Sequence, residues 1–163
     1  MTLLDGNKPS NEIKEKISEQ IKSCKTEPAL AAILVGDDPS SKKYLELKDK
    51  DCTEVGINFE NFQLPADATL KKVTNLIQKL NRNAKFDGIL VQFPVPDHLN
   101  KKSIIKAVDP AKDVDGLHAH NVGKLWTSDY DIEKDLIPCT PKGIIKLLDF
   151  YDIDLQKKKS SNY

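Results

Sequence analysis

Arginine is nearly missing from this chain. Of its 25 basic residues only Arg82 is an arginine, so 24 are lysines. Bidentate reading of phosphates or base edges is a guanidinium task. With 25 acidic residues the net charge is zero, which argues against a nucleic-acid surface. Cysteine is scarce and scattered. Cys24, Cys52 and Cys139 form no CxxC pair, which predicts reduced thiols in a cytoplasmic setting, with no disulfide framework and no zinc site. No apolar run approaches the roughly 20 residues of a membrane span. The opening Met-Thr-Leu-Leu-Asp-Gly6 turns polar too early for a signal peptide. No GxGxxG or other phosphate-cradling loop occurs. His118 and His120 make an HxH pair without carboxylate or thiol partners at ligand spacing, so no metal site is expected.

What is present is a βαβ rhythm. Ser10 is placed to cap a helix over 11–24, with Ile13, Ile17 and Ile21 at i, i+4, i+8. Residues 29–35 are continuously apolar and stop at Gly36, the mark of a strand buried on both faces. A turn at 36–40 leads into a helix over 41–55, capped by Ser40 or Ser41 and closed by Gly56. Residues 57–64 read as a second strand. Thr69 caps a third helix that carries Val73, Leu76, Ile77 and Leu80. Residues 87–93 read as a third strand, cut off by Pro94 and Pro96. A short helix over 101–108 follows. Thr140 and Pro141 open a last helix to about Tyr151, with Ile144, Ile145, Leu147 and Leu148 expected inside. Buried strands alternating with helices predict an α/β fold: a mostly parallel sheet flanked by helices in three layers, αβα. Ligands of such sheets gather at the carboxyl ends of the strands.

Three segments with chemistry fall at those ends. In the helix over 41–55, Tyr44, Leu45, Leu47, Cys52 and Val55 share an arc of about 160° at roughly 100° per residue. Lys48 projects inside that arc. A lysine there either snorkels out along its stem or occupies a desolvated pocket, where it serves as a proton carrier. Tyr44 lies one turn before it on the same ridge. Gln92 ends the third strand. Its amide either satisfies loop backbone or presents a donor and an acceptor at the strand mouth. Asp113 and Asp115 point opposite ways if extended. One can face a ligand while the other caps a turn or pairs with Lys112. Asp115-Gly116 suggests backbone packed closely against something. Cys139 stands at a helix start, where a thiolate is favoured, but a structural, buried role is the expectation.

Together these segments resemble one family. Val35-Gly-Asp-Asp-Pro-Ser-Ser-Lys-Lys-Tyr44 with Lys48-Asp-Lys50 and Glu54-Val-Gly-Ile57 is similar to the first signature of the bifunctional methylenetetrahydrofolate dehydrogenase/methenyltetrahydrofolate cyclohydrolases. Asp87-Gly-Ile-Leu-Val-Gln-Phe-Pro-Val-Pro96 resembles the second. Pro110-Ala-Lys-Asp-Val-Asp-Gly116 with Asn121-Val-Gly-Lys-Leu125 resembles the third. Pro138-Cys-Thr-Pro-Lys-Gly143 resembles the approach to the family's inter-domain helix. The resemblance implies a folate-binding catalytic domain over 1–151, linker helix included, and an irregular tail over 152–163. It implies that Lys48 is the catalytic lysine, that Gln92 works with it inside the substrate-contacting stretch Val91, Gln92 and Phe93, that Tyr44 stacks near the folate, and that Asp115 grips the pterin. A lysine beside a cationic methenyl bridge would be held neutral and free to act on water.

The family pattern continues into a Rossmann domain that binds NADP or NAD. The present sequence leaves that pattern at Leu155-Gln-Lys-Lys-Lys-Ser-Ser-Asn-Tyr163. The expectation is a truncated or frameshifted reading frame that holds no nicotinamide cofactor well. The expected partner is a folate, with neither nucleic acid nor membrane. The family's homodimer is not carried over to this shorter chain. The activity implied is methenyltetrahydrofolate hydrolysis. Methylenetetrahydrofolate oxidation is expected only with the missing domain supplied. The alternative is an inactive fragment that binds a folate or a partner.

Overall fold

The computed structural model describes residues 3–127 and 130–153. Its centre is a parallel sheet of three strands, β1 (Ala29–Val35), β2 (Asn58–Leu64) and β3 (Gly88–Val91), in the order β2-β1-β3. Ala29 to Val35 align with Asn58 to Leu64 on one side, and Leu30 to Ile33 align with Gly88 to Val91 on the other. β1 is apolar at every position because it is the middle strand and both its faces are covered. Ala29, Ala31, Ile33 and Val35 join one core with Val73, Ile77, Ile89 and Ile104. Ala32 and Leu34 point the other way, to Leu45 and Leu90. This period-two division of a single strand produces the three layers.

Helices α3 (Leu70–Arg82) and α4 (Lys101–Ala107) cover the first face, and α2 (Pro39–Val55) covers the second. Helix α1 (Asn7–Lys22) lies on α2, where Lys14 pairs with Asp51 and Glu54. Helices α5 (Ala119–Thr127) and α6 (Cys139–Phe150) complete the described chain. No helix among the described residues is long and apolar enough to cross a membrane.

Several local readings need correction. Helix α1 starts at Asn7, upstream of the expected cap, and Ser10 lies inside it with its N–H on the Gly6 carbonyl. Pro9 does not stop it, since first-turn N–H groups have no helical partner to lose. Helix α2 is capped by Asp38, not by Ser40 or Ser41. The Asp38 carboxylate accepts from the Ser41 N–H at 2.7 Å, and Pro39 takes the first helical position. β2 starts one residue late, at Asn58, and β3 ends at Val91. Helix α5 is absent from the sequence reading altogether. Its start is held from a distance: the Asp113 carboxylate accepts from the His118 N–H at 2.7 Å and from Asn121 Nδ2 at 3.0 Å.

Helix α6 departs most from expectation. It begins at Cys139, with Pro138 as a cap that offers no side-chain bond, and none of its residues is buried. Ile144 is 53% exposed, and Ile145, Leu147 and Leu148 are only half covered. Apolar spacing supplies a stripe, but burial needs an opposing layer. Among the described residues α6 meets α1, and its end is tied down by the Tyr151 hydroxyl, which bonds the Asp5 N–H and carbonyl. Of the expected irregular tail over 152–163, Asp152 and Ile153 turn back onto α6, with the Ile153 N–H on the Leu148 carbonyl at 3.0 Å, and 154–163 lie outside the described residues.

Candidate functional site

The buried stripe of α2 is narrower than the apolar residues suggest. Ser41, Leu45, Cys52 and Val55 are buried, whereas Tyr44 and Leu47 are 61% and 50% exposed. At about 100° per residue the buried four span roughly 80°, and Lys48 falls inside that span. Lys48 is half-buried, and its stem runs towards the carboxyl end of the sheet. There its Nζ donates to Gln92 Oε1 at 3.1 Å.

Gln92 is buried just past β3. Its own N–H bonds the Ile33 carbonyl at 2.9 Å, so the sheet fixes its backbone. Its Nε2 donates to the Phe93 carbonyl at 2.7 Å. That second bond orients the amide, turning the oxygen to Lys48 and leaving it one acceptor site for a ligand or water.

The acidic loop reaches the same place along the free side of β3. Ile89 bridges Asp113 in parallel, with the Ile89 N–H on the Lys112 carbonyl at 2.7 Å. Gly88 permits this approach, because a Cβ there would lie 2.5 Å from Val114 Cγ1. Asp113 and Asp115 then divide the roles the sequence left open. Asp113 is buried and caps α5, while Lys112 bonds the carbonyls of Leu80 and Asn83. Asp115 faces the cavity. Burial pushes its carboxyl above the ordinary carboxylate range, Lys48's charge opposes the shift, and Asp113's adds to it.

Gly116 closes the loop at φ +66°, and a Cβ there would fall 2.2 Å from the Ile137 carbonyl carbon. The close packing expected of Asp115-Gly116 is therefore against residues 137–138. This contact brings Pro138, Cys139 and Thr140 to the cavity. Cys139 is exposed rather than buried. Its sulfur nevertheless turns in to the Val114 carbonyl at 3.2 Å. Although the residue as a whole is exposed, desolvation of this inward-turned sulfur and the neighbouring Asp115 push the thiol's pKa up, the reverse of thiolate activation.

The cavity measures about 290 Å³. Lys48, Val91, Gln92, Phe93 and Asp115 line it. Tyr44 lies one turn from Lys48 on α2, exposed, and does not line it. Lys101 and Leu117 were not singled out from sequence. Lys101 reaches the cavity from α4, its Nζ 4.6 Å from the centre of the Phe93 ring. Pro138 lies 23 residues beyond Asp115, and no local spacing signals that it returns. A larger hollow of about 460 Å³ lies along α3, lined by lysines and by Leu64 and Leu76. Thr69 and Asn75 also line it, but it holds no carboxylate to set against its lysines, so chemistry rather than volume selects the site.

The three glycines at positive φ each have a local role. Gly36 opens onto the carboxylates of Asp37 and Asp38, Gly56 closes α2, and the space at Gly116 is filled by Ile137.

The class defined so far is an α/β domain with a lysine–amide pair and a carboxylate at the carboxyl end of a parallel sheet. The chain belongs to the tetrahydrofolate dehydrogenase/cyclohydrolase family, whose catalytic-domain model matches residues 4–115. It is 43% identical over 159 residues to the bifunctional protein FolD of Chlamydia pneumoniae, covering 98% of this chain and 54% of that protein. It is 46% identical to the FolD of Francisella philomiragia, covering 96% and 56%. The solved bifunctional FolD of Campylobacter jejuni superposes with a TM-score of 0.89 at 44% identity, covering 95% of this chain and 55% of that one. The Trypanosoma brucei enzyme, solved with NADP and an inhibitor, superposes with a TM-score of 0.86 at 26% identity, covering 94% and 53%. The chain spans about half the length of the curated relatives it matches.

Proposed function

We propose that residues 1–151 form a folate-binding catalytic domain that hydrolyses the methenyl bridge of methenyltetrahydrofolate. The observation that carries this reading is the Lys48 Nζ to Gln92 Oε1 bond in a cavity shared with Asp115. The methenyl carbon is cationic and bonded to two nitrogens. Water adds to it and loses a proton, one C–N bond opens, and an N-formyl product leaves with net release of one proton. Lys48 carries protons between water and the leaving nitrogen. Gln92 holds Lys48 in place and is thus a positioning partner. Asp115 accepts from the N–H groups of the pterin, a donor edge that compensates its desolvated carboxylate. Val91 and Phe93 flank the ring. Tyr44, exposed on the next turn of α2, stacks on the part of the folate that projects from the cavity.

Hydride transfer needs a nicotinamide held against the bridge carbon. The sequence holds no GxGxxG or other phosphate-cradling loop, so the 163-residue polypeptide alone is not expected to oxidise methylenetetrahydrofolate. A second reading, a binding module without turnover, is favoured by one feature. The wall at 138–140 hangs from a helix with no buried residue, which weakens water exclusion and substrate orientation. The test is the absorbance decay of methenyltetrahydrofolate with the purified chain. Decay faster than buffer, even weakly, supports the hydrolase. Decay at the buffer rate, with folate still bound, leaves the module.

A further inference from the structure

The hollow of about 460 Å³ between α3 and the end of β2 has no part in the Lys48 chemistry. Its apolar floor is Leu64, the last residue of β2, and Leu76 of α3, both half-buried. Lys71, Lys72 and Lys79 line it. None of the three forms an ion pair among the described residues, unlike Lys14, Lys42, Lys85, Lys124, Lys134 and Lys146. Three ammoniums around two leucines, with no carboxylate lining the same space, complement an acidic ligand with an apolar centre.

The sheet edge beside this hollow is open. β2 is an outer strand, and among the described residues no strand pairs with its far side. The Asn58 N–H bonds the Pro28 carbonyl, and the Leu64 carbonyl accepts from the Gly36 N–H. Residues that bond to one neighbour alternate along a parallel ladder. Phe59, Asn61 and Gln63 therefore turn their N–H and carbonyl groups outward. Edge strands are usually blunted by lysine, proline or a bulge. β2 contains neither lysine nor proline, its register with β1 is unbroken, and its one charge, Glu60, is taken up by Lys85.

A groove between an edge strand and a helix is suited to strand addition, with main-chain bonds on one side and side-chain pockets on the other. The lining residues run from Thr69 to Lys79, about 15 Å of helix at roughly 1.5 Å per residue. That is the length of about five extended residues. We propose that this groove docks an extended acidic segment of a partner protein, which adds to β2 as a strand. Alternate residues of a strand share one face. The segment would thus read acid, any, apolar, any, acid, with the apolar side chain on Leu64 and Leu76 and the acids on the lysines. Nucleic acid fits less well, because no aromatic residue or arginine lines the groove to stack a base. The inference is independent of the folate reading.

The probe is the peptide acetyl-Glu-Thr-Val-Thr-Glu-amide, titrated into the isotope-labelled full chain and followed by backbone amide shifts. Shifts should cluster at 59–64 and 71–79. The counterpart with lysine in place of both glutamates should bind at least fivefold more weakly, and 0.5 M salt should narrow that ratio. Methylating alternate peptide amides should abolish binding in one set and spare it in the other, since only one set faces β2. Lys71→Gln, Lys72→Gln and Lys79→Gln combined should weaken binding roughly tenfold. Asn61→Pro removes an outward N–H at an edge position that tolerates proline, and should abolish it. No shifts at millimolar peptide, shifts elsewhere, equal loss from both methylated sets, or a lysine variant that binds as wild type would each overturn the proposal. So would an oligothymidylate that moves the same amides at lower concentration, which would make the groove a nucleic-acid site. Self-association lost in Asn61→Pro, with no peptide binding, would overturn it in favour of a second copy of this chain.

Discussion

The two halves of this molecule put similar apolar content to different use. Between Ala29 and Val108 all of β3, all of β1 but Leu30, and the inner faces of α3 and α4 are buried around Ile33, Ile77 and Ile89, while the edge strand β2 is only partly covered. Between Leu117 and Ile153 the buried residues are Asn121 and Ile137 alone among those described, and α6 contributes none. The cavity draws on both halves. Lys48 and Gln92 are set by the well-packed half, while Pro138, Cys139 and Thr140 belong to the thinly packed one. The chemistry of the site is thus rigidly anchored on one side only. Catalytic geometry and cavity closure are separable properties, and substitutions should separate them.

The largest contrast is expected between two isoleucines. Ile33 is fully buried on the central strand, and Ile144 is 53% exposed on α6. Ile33→Ala should cost about 2–5 kcal/mol of stability in urea unfolding, whereas Ile144→Ala should fall within about 0.5 kcal/mol of wild type. Equal losses would mean that α6 is as well packed as the sheet.

Gly116 joins the halves. Gly116→Ala meets both a positive φ and the Ile137 backbone, and should cost about 1–3 kcal/mol. Folate affinity should drop further than stability does, because the 137–140 wall must move. A variant with unchanged binding would show that this wall plays no part in the site.

A smaller effect, dependent on pH, is expected at Asp115. Its folded carboxyl titrates above its unfolded value, so the unfolded chain gives up this proton first as pH rises. Stability then falls from near pH 4, the ordinary aspartate range of about 3.9, until the folded group ionises, and is level above that. Asp115→Asn removes this term. The variant should therefore lose less melting temperature than wild type between pH 4 and pH 7, yet bind folate more weakly at pH 7. A larger loss in the variant would reverse the sign of the account.

The packed half was the legible half. An unbroken apolar run such as 29–35 has one economical fate in an α/β chain, and Thr69 caps α3 where local chemistry says it should. Lys48 stood out because a charge interrupts an apolar ridge, and its partner Gln92 because a polar residue ends a buried strand. What local spacing could not carry were features set by distant contacts. The start of α5 depends on Asp113, five residues before His118, and the return of Pro138 depends on Gly116. The exposure of α6 reflects the absence of an opposing layer among the described residues, which no periodicity encodes. Lys101 carries no local signal, because its contact is with the Phe93 ring on a preceding loop.

The central claim is that Lys48, positioned by Gln92, carries the proton chemistry of a folate hydrolase. Methenyltetrahydrofolate decay should be measured for wild type and Lys48→Ala, with folate affinity determined on the same samples by calorimetry. The account predicts a rate loss of at least 100-fold, the usual scale of a lost general acid–base, or a fall to the buffer rate where the starting activity is weaker than that, with affinity kept within a few fold. A Lys48→Ala chain that hydrolyses the bridge as fast as wild type would contradict it.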